Sequence, residues 1–484
     1  MLAGNNFFYL MIGAYALLTL VISGYSLRKE KNTPEDYFLA GRRVGTFVLF
    51  FTLIATNFSA FFFLGFAGAG YRIGYSYYGT MAFGTAFVAV AFYLVGSRVW
   101  KAGQRHGYIT PPELIGKTLN SRSLELLYLG VMVVFTLPYL ALQPIGAGYI
   151  ISNLTNGDIP YFVAASLVTG FIVLYVYLGG MRTVAWTDVL QGIMMFTLIS
   201  AALFMVAGGL GGLEQANARV LELEPGLFTA RGLHDYYTPG KWFSYSLLWF
   251  LSVPMFPHIF MRFFIPNSTA ALHRTITLYP LVTAILFLFP ITIGVLGHID
   301  FPALEGKQVD QVLPMMLAAY TPYWFEALVM VGALAAFMST MDSQLLALSS
   351  MLTRDVYQRG FRPTASHRAQ VLTGRILVAV LALIGLALAW KPPATILEIA
   401  THAFTGLAVL FPTTIATLYW SSTRPGACMA SILVGEALLL GYATDVIPTT
   451  WSFGFLPVVP ILAVSTLILV IGSIRRPLRR KIRE

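Results

Sequence analysis

Apolar stretches of about 20 residues recur along the whole sequence, and this recurrence limits the possible folds more than any other feature. Of the 484 residues, 57% are hydrophobic and only 11% are charged, which is too little charge to cover the surface of a soluble domain. We predict an all-α integral membrane protein with about thirteen transmembrane helices. The predicted spans are residues 6–27, 44–72, 74–98, 124–152, 159–178, 186–209, 240–262, 274–298, 322–350, 372–390, 395–420, 426–444 and 455–473.

The polar segments between the spans are short. The longest, between Gly208 and Lys241, has roughly thirty residues, which is too short for a separate soluble domain. We therefore treat residues 1–484 as a single transmembrane domain. The first span is expected to be a retained anchor, because no basic residue precedes it and Arg28 follows it.

The net charge of +10 is distributed unevenly between the two sides of the predicted membrane domain. With the N-terminus outside and each span crossing once, 25 Lys and Arg residues fall on cytoplasmic segments and 6 fall outside. This asymmetry predicts an outside N-terminus and a cytoplasmic C-terminus in a plasma (inner) membrane. The basic charge is therefore interpreted as a topology signal, with membrane lipid as a secondary contact and no nucleic-acid partner.

The sequence contains a single cysteine, Cys428, which lies within or beside a span. One cysteine excludes an intramolecular disulfide and any cysteine-based metal cluster. We expect Cys428 to be a buried residue without a chemical role.

Two predicted spans contain helix-breaking sequences near their middles. The second has the small polar segment "ATNFSA" at 55–60, and the seventh has Pro254 and Pro257. Unwound backbone inside a membrane is tolerated only where it is buried in protein or lines a cavity. These spans are five apart, which is typical of paired broken helices in an inverted repeat with a binding site between them. A pair of kinked packing helices is the alternative.

The ninth predicted span carries a cluster of hydroxyl groups. Ala336, Ser339, Thr340 and Ser343 share one helical face, and Asp342 projects about 60° to the side. Uncharged oxygen ligands suit a hard monovalent cation, and carbonyls of the broken second span at 55–58 would complete the coordination. The alternative is that the hydroxyls bond back to their own helix.

Several segments together resemble the sodium:solute symporter family. They are "EDYFLAGRR" (35–43), "ATNFSAFFFLGFAGAGY" (55–71), "PYLALQPIGAGYI" (138–150), "GGMRTVAWTDVLQG" (179–192) and "AAFMSTMDSQLLALSSMLTRDVY" (335–357). The resemblance implies a LeuT-like core of five plus five inverted spans. The first repeat would be 44–209 and the second 240–420, with an extra N-terminal helix at 6–27 and two extra C-terminal helices at 426–473.

The resemblance also implies residues for ion binding, with Na+ as the coupling ion. Its principal sodium site corresponds to Ala55, Phe58, Ala336, Ser339 and Thr340. Asp188 corresponds to a carboxylate implicated in sodium handling. A possible second sodium site would use Asp188, Asp342 and Ser343.

The solute is less constrained by the sequence. Candidate pocket residues lie at the predicted breaks and on the fourth span: Asn57, Ser59, Phe62, Tyr139, Gln143 and Phe256. Such an apolar pocket with few polar anchors suits a monocarboxylate, an amino acid or a pantothenate-like molecule. His258 is either a solute contact or a packing or gating residue, and His402 is interpreted as a satisfied core group.

Sodium-coupled import of a small organic solute by alternating access is therefore the predicted function. A proton-coupled transporter of the same fold is the alternative, and a transporter-like sensor is a further one. An enzyme is not expected and no catalytic residue is assigned, because the seven histidines are scattered and HExxH is absent. The oligomeric state is not predicted.

Overall fold

The computed structural model describes residues 2–28 and 33–474. Within these ranges the chain forms nineteen α-helices joined by short 3-10 and π-helical segments, and it forms no β-strand. The all-α fold class predicted from the apolar stretches is confirmed.

Nine of the helices lie in the first half of the described chain. They are α1 (Leu2–Leu27), α2 (Pro34–Leu39), α3 (Thr46–Asn57), α4 (Phe66–Ile73), α5 (Tyr75–His106), α6 (Pro111–Thr118), α7 (Arg122–Leu154), α8 (Tyr161–Gly209) and α9 (Leu213–Leu223). Those of the second half are α10 (Pro239–Ser252), α11 (Pro257–Arg262), α12 (Thr269–Leu296), α13 (Val312–Tyr320), α14 (Tyr323–Met351), α15 (His367–Leu388), α16 (Ile396–Ala408), α17 (Leu410–Tyr419), α18 (Pro425–Ala443) and α19 (Val458–Ile474).

Nine helices in the described part of the chain are long and apolar enough to cross a membrane, and one bent pair raises this number to ten. Helix α8 alone has 49 residues, and it bends at Gly180, where φ is 55° and ψ is −156°. The sequence predicts two separate spans over this range. The count of thirteen therefore stays a prediction, as do the orientation of the termini and the bounds of the two repeats.

The predicted break in the second span is present. Helix α3 ends at Asn57, Phe58 is extended with φ −92° and ψ 101°, and the second half of the span bends away by 59°. Side chains replace the missing helical bonds: the N–H of Ala60 donates to Oε1 of Gln143 at 3.0 Å, and the N–H of Phe61 donates to Oγ of Ser59 at 3.1 Å. A buried unwound backbone is stable only with such partners.

The predicted break in the seventh span is also present. Helix α10 passes into a 3-10 turn at Val253–Met255, Phe256 is extended with φ −60° and ψ 130°, and α11 begins at Pro257. Proline is suited to the first turn of α11, where its missing N–H has no helical partner. The break turns the short helix α11 into the protein interior, where all of its residues are buried.

Helix α14 lies at the centre of the molecule. Every residue from 329 to 351 is buried, and the helix packs against α8, α7, α1 and α3. A helix buried on all sides cannot use its polar residues as a solvated face. The hydroxyl groups of α14 must therefore find partners inside the protein.

Helices α4 and α12 cross in close contact. A Cβ atom added at Gly294 would overlap the backbone carbonyl of Ala67, and one added at Gly70 would overlap that of Ile291. Backbone atoms cannot shift as a flexible side chain can, so only glycine permits this approach.

Gly294→Ala is therefore expected to destabilise the protein by about 1–3 kcal/mol. Thermal unfolding of the purified protein measures the effect. Gly130→Ala is the matched control, since no heavy atom lies within 4 Å of its added Cβ. Equal unfolding temperatures for the two variants would show that α4 and α12 are not in close contact.

Asp310 lies outside the spans, in the 3-10 segment Gly306–Gln311, and its Oδ2 accepts a hydrogen bond from the N–H of Ile396 at 3.0 Å. Burial raises the pKa of Asp310 from 3.8 to about 7, with Glu398 adding to the rise, while the Ile396 amide and Arg72 oppose it. The folded state thus holds a proton that the unfolded state releases at lower pH.

Stability is therefore expected to fall as the pH rises from about 4 to 7, by up to about 1.4 kcal/mol per pH unit. Thermal unfolding across this range measures the effect for the wild-type protein and for Asp310→Asn. The variant cannot ionise, so its profile should be flatter. Parallel profiles would exclude Asp310 as the source.

Candidate functional site

The break after α3 lies directly against the hydroxyl-bearing face of α14. Oγ1 of Thr340 donates to the backbone carbonyls of Thr56 and Phe58, at 3.2 Å each. Ala55 is fully buried in the last turn of α3. The structure thus brings together the two segments that the sequence predicts to share an ion site.

Ser339 and Thr340 both donate away from their own helix, in contrast to the alternative of back-bonding. Oγ of Ser339 donates to Oδ1 of Asp188, on α8, at 2.5 Å. Ala336 lies in a continuous stretch of α14, so its carbonyl is not freed by a helix break, in contrast to the carbonyls at the end of α3. The participation of Ala336 in ion binding stays a prediction.

Asp188 is the centre of a buried polar cluster, the ion cluster, which also contains Thr52, Thr56, Arg262, Ser339, Thr340 and Ser343. Oδ2 of Asp188 accepts hydrogen bonds from the hydroxyls of Thr52 and Thr56 and lies 3.3 Å from Nη2 of Arg262. The carboxylate of Asp188 and the guanidinium of Arg262 are both completely buried. Buried charges require such pairing.

Ser343 joins this cluster, whereas Asp342 points to its edge. Oγ of Ser343 lies 3.0 Å from Oγ1 of Thr56 and 2.6 Å from Nη2 of Arg262. Asp342 accepts from the hydroxyl of Tyr175 at 2.7 Å and from Ser343 at 3.1 Å. The three residues predicted for a second sodium site are therefore neighbours, but an arginine lies among them.

Three members of this cluster are not among the site residues predicted from the sequence: Thr52, Thr56 and Arg262. Thr52 and Thr56 are four residues apart on one face of α3, so their spacing was a usable signal. The charge pattern places Arg262 among the cytoplasmic residues, whereas its side chain is fully buried in the protein.

A cavity of about 30 Å³ lies beside the break in α3. It has room for about one water molecule, so binding of an organic solute requires its walls to move apart. Its lining residues are mainly aromatic: Asn57, Phe58, Phe61, Phe62, Phe66, Met81, Thr85, Val88, Tyr139, Trp249, Val253, Tyr279, Phe287 and Phe404.

Three of the six predicted solute residues line this cavity, namely Asn57, Phe62 and Tyr139. The amide nitrogen of Asn57 donates to the hydroxyl of Tyr279, and the Phe62 ring stacks on Phe58 with centroids 4.3 Å apart.

The other three predicted solute residues do not line the cavity but contact its lining residues or the backbone of the break. Ser59 bonds to the hydroxyl of Tyr139 at 2.8 Å, Gln143 holds the backbone of the break, and the Phe256 ring lies 4.8 Å from that of Tyr139.

The two histidines differ in environment. His258 is buried and lies parallel to the Tyr139 ring at 6.4 Å, behind the cavity, which favours packing. The interpretation of His402 as a core group is wrong, because its position on α16 faces outward and is exposed. Cys428 is buried and free, as predicted.

Two interrupted helices, a buried oxygen-rich cluster at one break and a cavity beside it together define a secondary transporter. A model of the sodium:solute symporter family matches residues 37–435, so the chain belongs to this family. It is therefore a transporter rather than an enzyme, and Na+ is its coupling ion.

Similar proteins cover nearly the whole chain. The sodium/pantothenate symporter of Escherichia coli (strain K12) is 29% identical over 466 residues, covering 95% of each chain. A sodium/proline symporter of Staphylococcus aureus (strain bovine RF122 / ET3-1) is 26% identical over 483 residues, covering 96% of this chain and 92% of the relative.

Solved structures show the fold. A Na+-coupled sialic acid symporter in a substrate-bound outward-open state superposes with a TM-score of 0.81 at 16% identity, covering 97% of this chain and 98% of that one. Mhp1, a nucleobase-cation-symport-1 family transporter, superposes with a TM-score of 0.61 at 12% identity, covering 92% of this chain and 96% of that one. The predicted LeuT-like fold is confirmed.

Proposed function

We propose that this chain imports a small monocarboxylate, of which pantothenate is an example, together with sodium by alternating access. One observation carries the proposal: Phe58 belongs to both sites. Its carbonyl accepts from Thr340 in the ion cluster, and the residue also lines the cavity. Binding at either site therefore orders the same interrupted backbone.

The proposed sodium ligands are the carbonyls of Ala55, Phe58 and Ala336 and the hydroxyls of Ser339 and Thr340. The two hydroxyls now donate to Asp188 and to the carbonyls of the break. A sodium ion between these oxygens would replace hydroxyl donation with oxygen coordination. It would tie α3 to α14 and favour the closed arrangement of the two helices.

The chemistry of the cavity lining supports an acid without an amine. The lining contains no charged side chain among the described residues, so nothing there would pair with the ammonium of an amino acid. Nε1 of Trp249 is a buried donor with no hydrogen-bond partner in the described part of the chain. With the amide of Asn57 and the hydroxyl of Tyr139, it offers donors to a carboxylate.

Energy for uptake comes from the sodium gradient. With the N-terminus outside, as the charge asymmetry predicts, one sodium ion moving inward across 100 mV supplies about 2.3 kcal/mol. In alternating access, the broken helices are expected to move relative to the helices packed around them. Such rocking would open the cavity to one side at a time.

A ligand screen on the purified protein tests this function. Pantothenate, lactate, pyruvate and proline are compared by thermal stabilisation in sodium and in potassium buffer. We expect stabilisation by pantothenate or another monocarboxylate, larger in sodium than in potassium, because the two sites share the break. Equal stabilisation in both buffers would contradict sodium coupling, and stabilisation by proline alone would contradict the solute class.

Trp249→Phe separates the two sites. The variant keeps an aromatic ring but removes the free Nε1 donor, so solute stabilisation should fall while sodium binding is unchanged. Trp242→Phe is the matched control, because Trp242 does not line the cavity. A solute response that survives in Trp249→Phe would exclude the indole as a solute contact.

A further inference from the structure

Arg262 is a positively charged residue in the ion cluster, and a guanidinium offers no oxygen ligand to sodium. It is the last residue of α11, and its side chain is completely buried. A fully buried arginine inside a membrane domain is rare and usually has a specific partner. Here the partner is Asp188, with Nη2 lying 3.3 Å from Oδ2.

The contacts of Arg262 are those expected of a bound cation. Nη2 lies 2.6 Å from Oγ of Ser343, 2.8 Å from Oγ1 of Thr56 and 3.1 Å from Oγ1 of Thr52. Nη1 donates to the carbonyl of His258 at 3.2 Å. Asp188 and Ser343, which the sequence predicts as ligands of a second sodium ion, thus face a positive charge that belongs to the protein.

We propose that the Arg262 guanidinium is a tethered cation that occupies the second sodium site, so that the protein binds one sodium ion. The inference rests on the proposed sodium site between α3 and α14. The guanidinium is covalently attached and contacts Asp188 and Ser343, two of the three residues predicted for the second site. A free ion would have to displace it from a buried carboxylate to bind there.

The buried charges support a single ion. Asp188 and Arg262 are both fully buried, and their charges balance each other. A sodium ion added beside this pair at the second site would leave an unbalanced positive charge where water cannot solvate it, which is strongly unfavourable.

A purely structural role for Arg262 makes a different prediction. If the guanidinium only pairs with Asp188, removing it lowers stability but leaves the number of bound sodium ions unchanged. If it occupies an ion site, its removal opens that site to a second sodium ion. Counting bound sodium therefore separates the two roles.

The experiment is equilibrium binding of ²²Na⁺ to the purified full chain, with potassium as the replacement ion and no solute present. We expect one sodium ion per chain in the wild-type protein and two in Arg262→Gln. Arg262→Lys keeps a positive charge and should bind one. Combining Arg262→Gln with Ser343→Ala removes a ligand of the opened site and should return the count to one.

Arg354→Gln is the matched control, because Arg354 pairs with Glu113 at 3.0 Å, outside the cluster. Its count should stay at one. Sodium should also raise the unfolding temperature of Arg262→Gln more than that of the wild-type protein, since the ion would replace the lost partner of Asp188.

Two sodium ions in the wild-type protein, or one in a folded Arg262→Gln variant, overturn the inference. If Arg262→Gln does not fold, the numbers of sodium ions bound by the wild-type protein and by Arg262→Lys decide the question. Two bound sodium ions in either protein would contradict the tethered cation. No saturable sodium binding in the wild-type protein overturns the proposed sodium site itself. The failures of the two proposals are therefore distinguishable.

Discussion

Replacing Thr340 by alanine is expected to weaken sodium binding by about ten- to a hundredfold. Oγ1 of Thr340 contacts the carbonyls of both Thr56 and Phe58, so it joins α14 to the break in α3. An interaction with a charged group contributes about 1.5–3 kcal/mol, and about 1.4 kcal/mol corresponds to a tenfold change in affinity. The dissociation constant from ²²Na⁺ binding measures the loss.

Two controls show whether the hydroxyl itself matters. Thr340→Ser keeps the hydroxyl and should bind sodium almost as the wild-type protein does. Thr401→Ala makes the same change on α16, where Oγ1 donates to its own helix at Leu397, and should have no effect. Ser339→Ala should act in the same direction as Thr340→Ala. Wild-type affinity in both Ser339→Ala and Thr340→Ala would eliminate the proposed site.

Much of the architecture was predictable because hydrophobic burial is a local property of the sequence. Each apolar stretch must lie in lipid or protein, and prolines or polar residues inside one mark positions where the helix can be interrupted, although α7 and α12 continue through internal prolines. The breaks at 55–60 and 253–257 were predictable because the two interruptions also lie five spans apart, as in an inverted repeat. The bend of α8 at Gly180 was harder to predict from the sequence, because a single glycine with positive φ changes the direction of the chain without ending the helix.

The ion cluster was predictable only where its residues share one helix. The hydroxyls of α14 repeat with helical spacing, so their common face could be inferred. Arg262 could not be placed in the same way, because its depth depends on how the break after α10 directs α11 into the interior. Its partner Asp188 lies 74 residues away in sequence, and no local pattern links the two.

His402 shows the opposite error. The apolar residues around it suggested a buried position, yet its side of α16 faces outward while its neighbours Ala403 and Phe404 are buried. In a membrane protein, apolar residues occur on both the lipid-facing and the buried sides of a helix. Hydrophobicity alone therefore does not identify the inner face.

Asp188→Asn is expected to reduce the stability of the folded protein by about 3–5 kcal/mol. The asparagine has a similar size but no charge, so the buried guanidinium of Arg262 would lose its counter-ion. The hydroxyls of Thr52 and Ser339 each donate to a different oxygen of the Asp188 carboxylate. Asparagine has only one side-chain oxygen, so one of the two hydroxyls would lose its acceptor. Thermal unfolding of the purified protein in potassium buffer measures the effect without a contribution from sodium.

The double variant Asp188→Asn with Arg262→Gln provides the decisive comparison. Removing both charges together leaves no buried ion unpaired, so the double variant should recover most of the stability lost in Asp188→Asn. Asp300→Asn, at an exposed aspartate bonded to Tyr320, is the matched control and should change stability by less than about 0.5 kcal/mol. Simple addition of the two single effects would mean that Asp188 and Arg262 are not coupled. The tethered guanidinium would then lack the partner that holds it in the ion cluster.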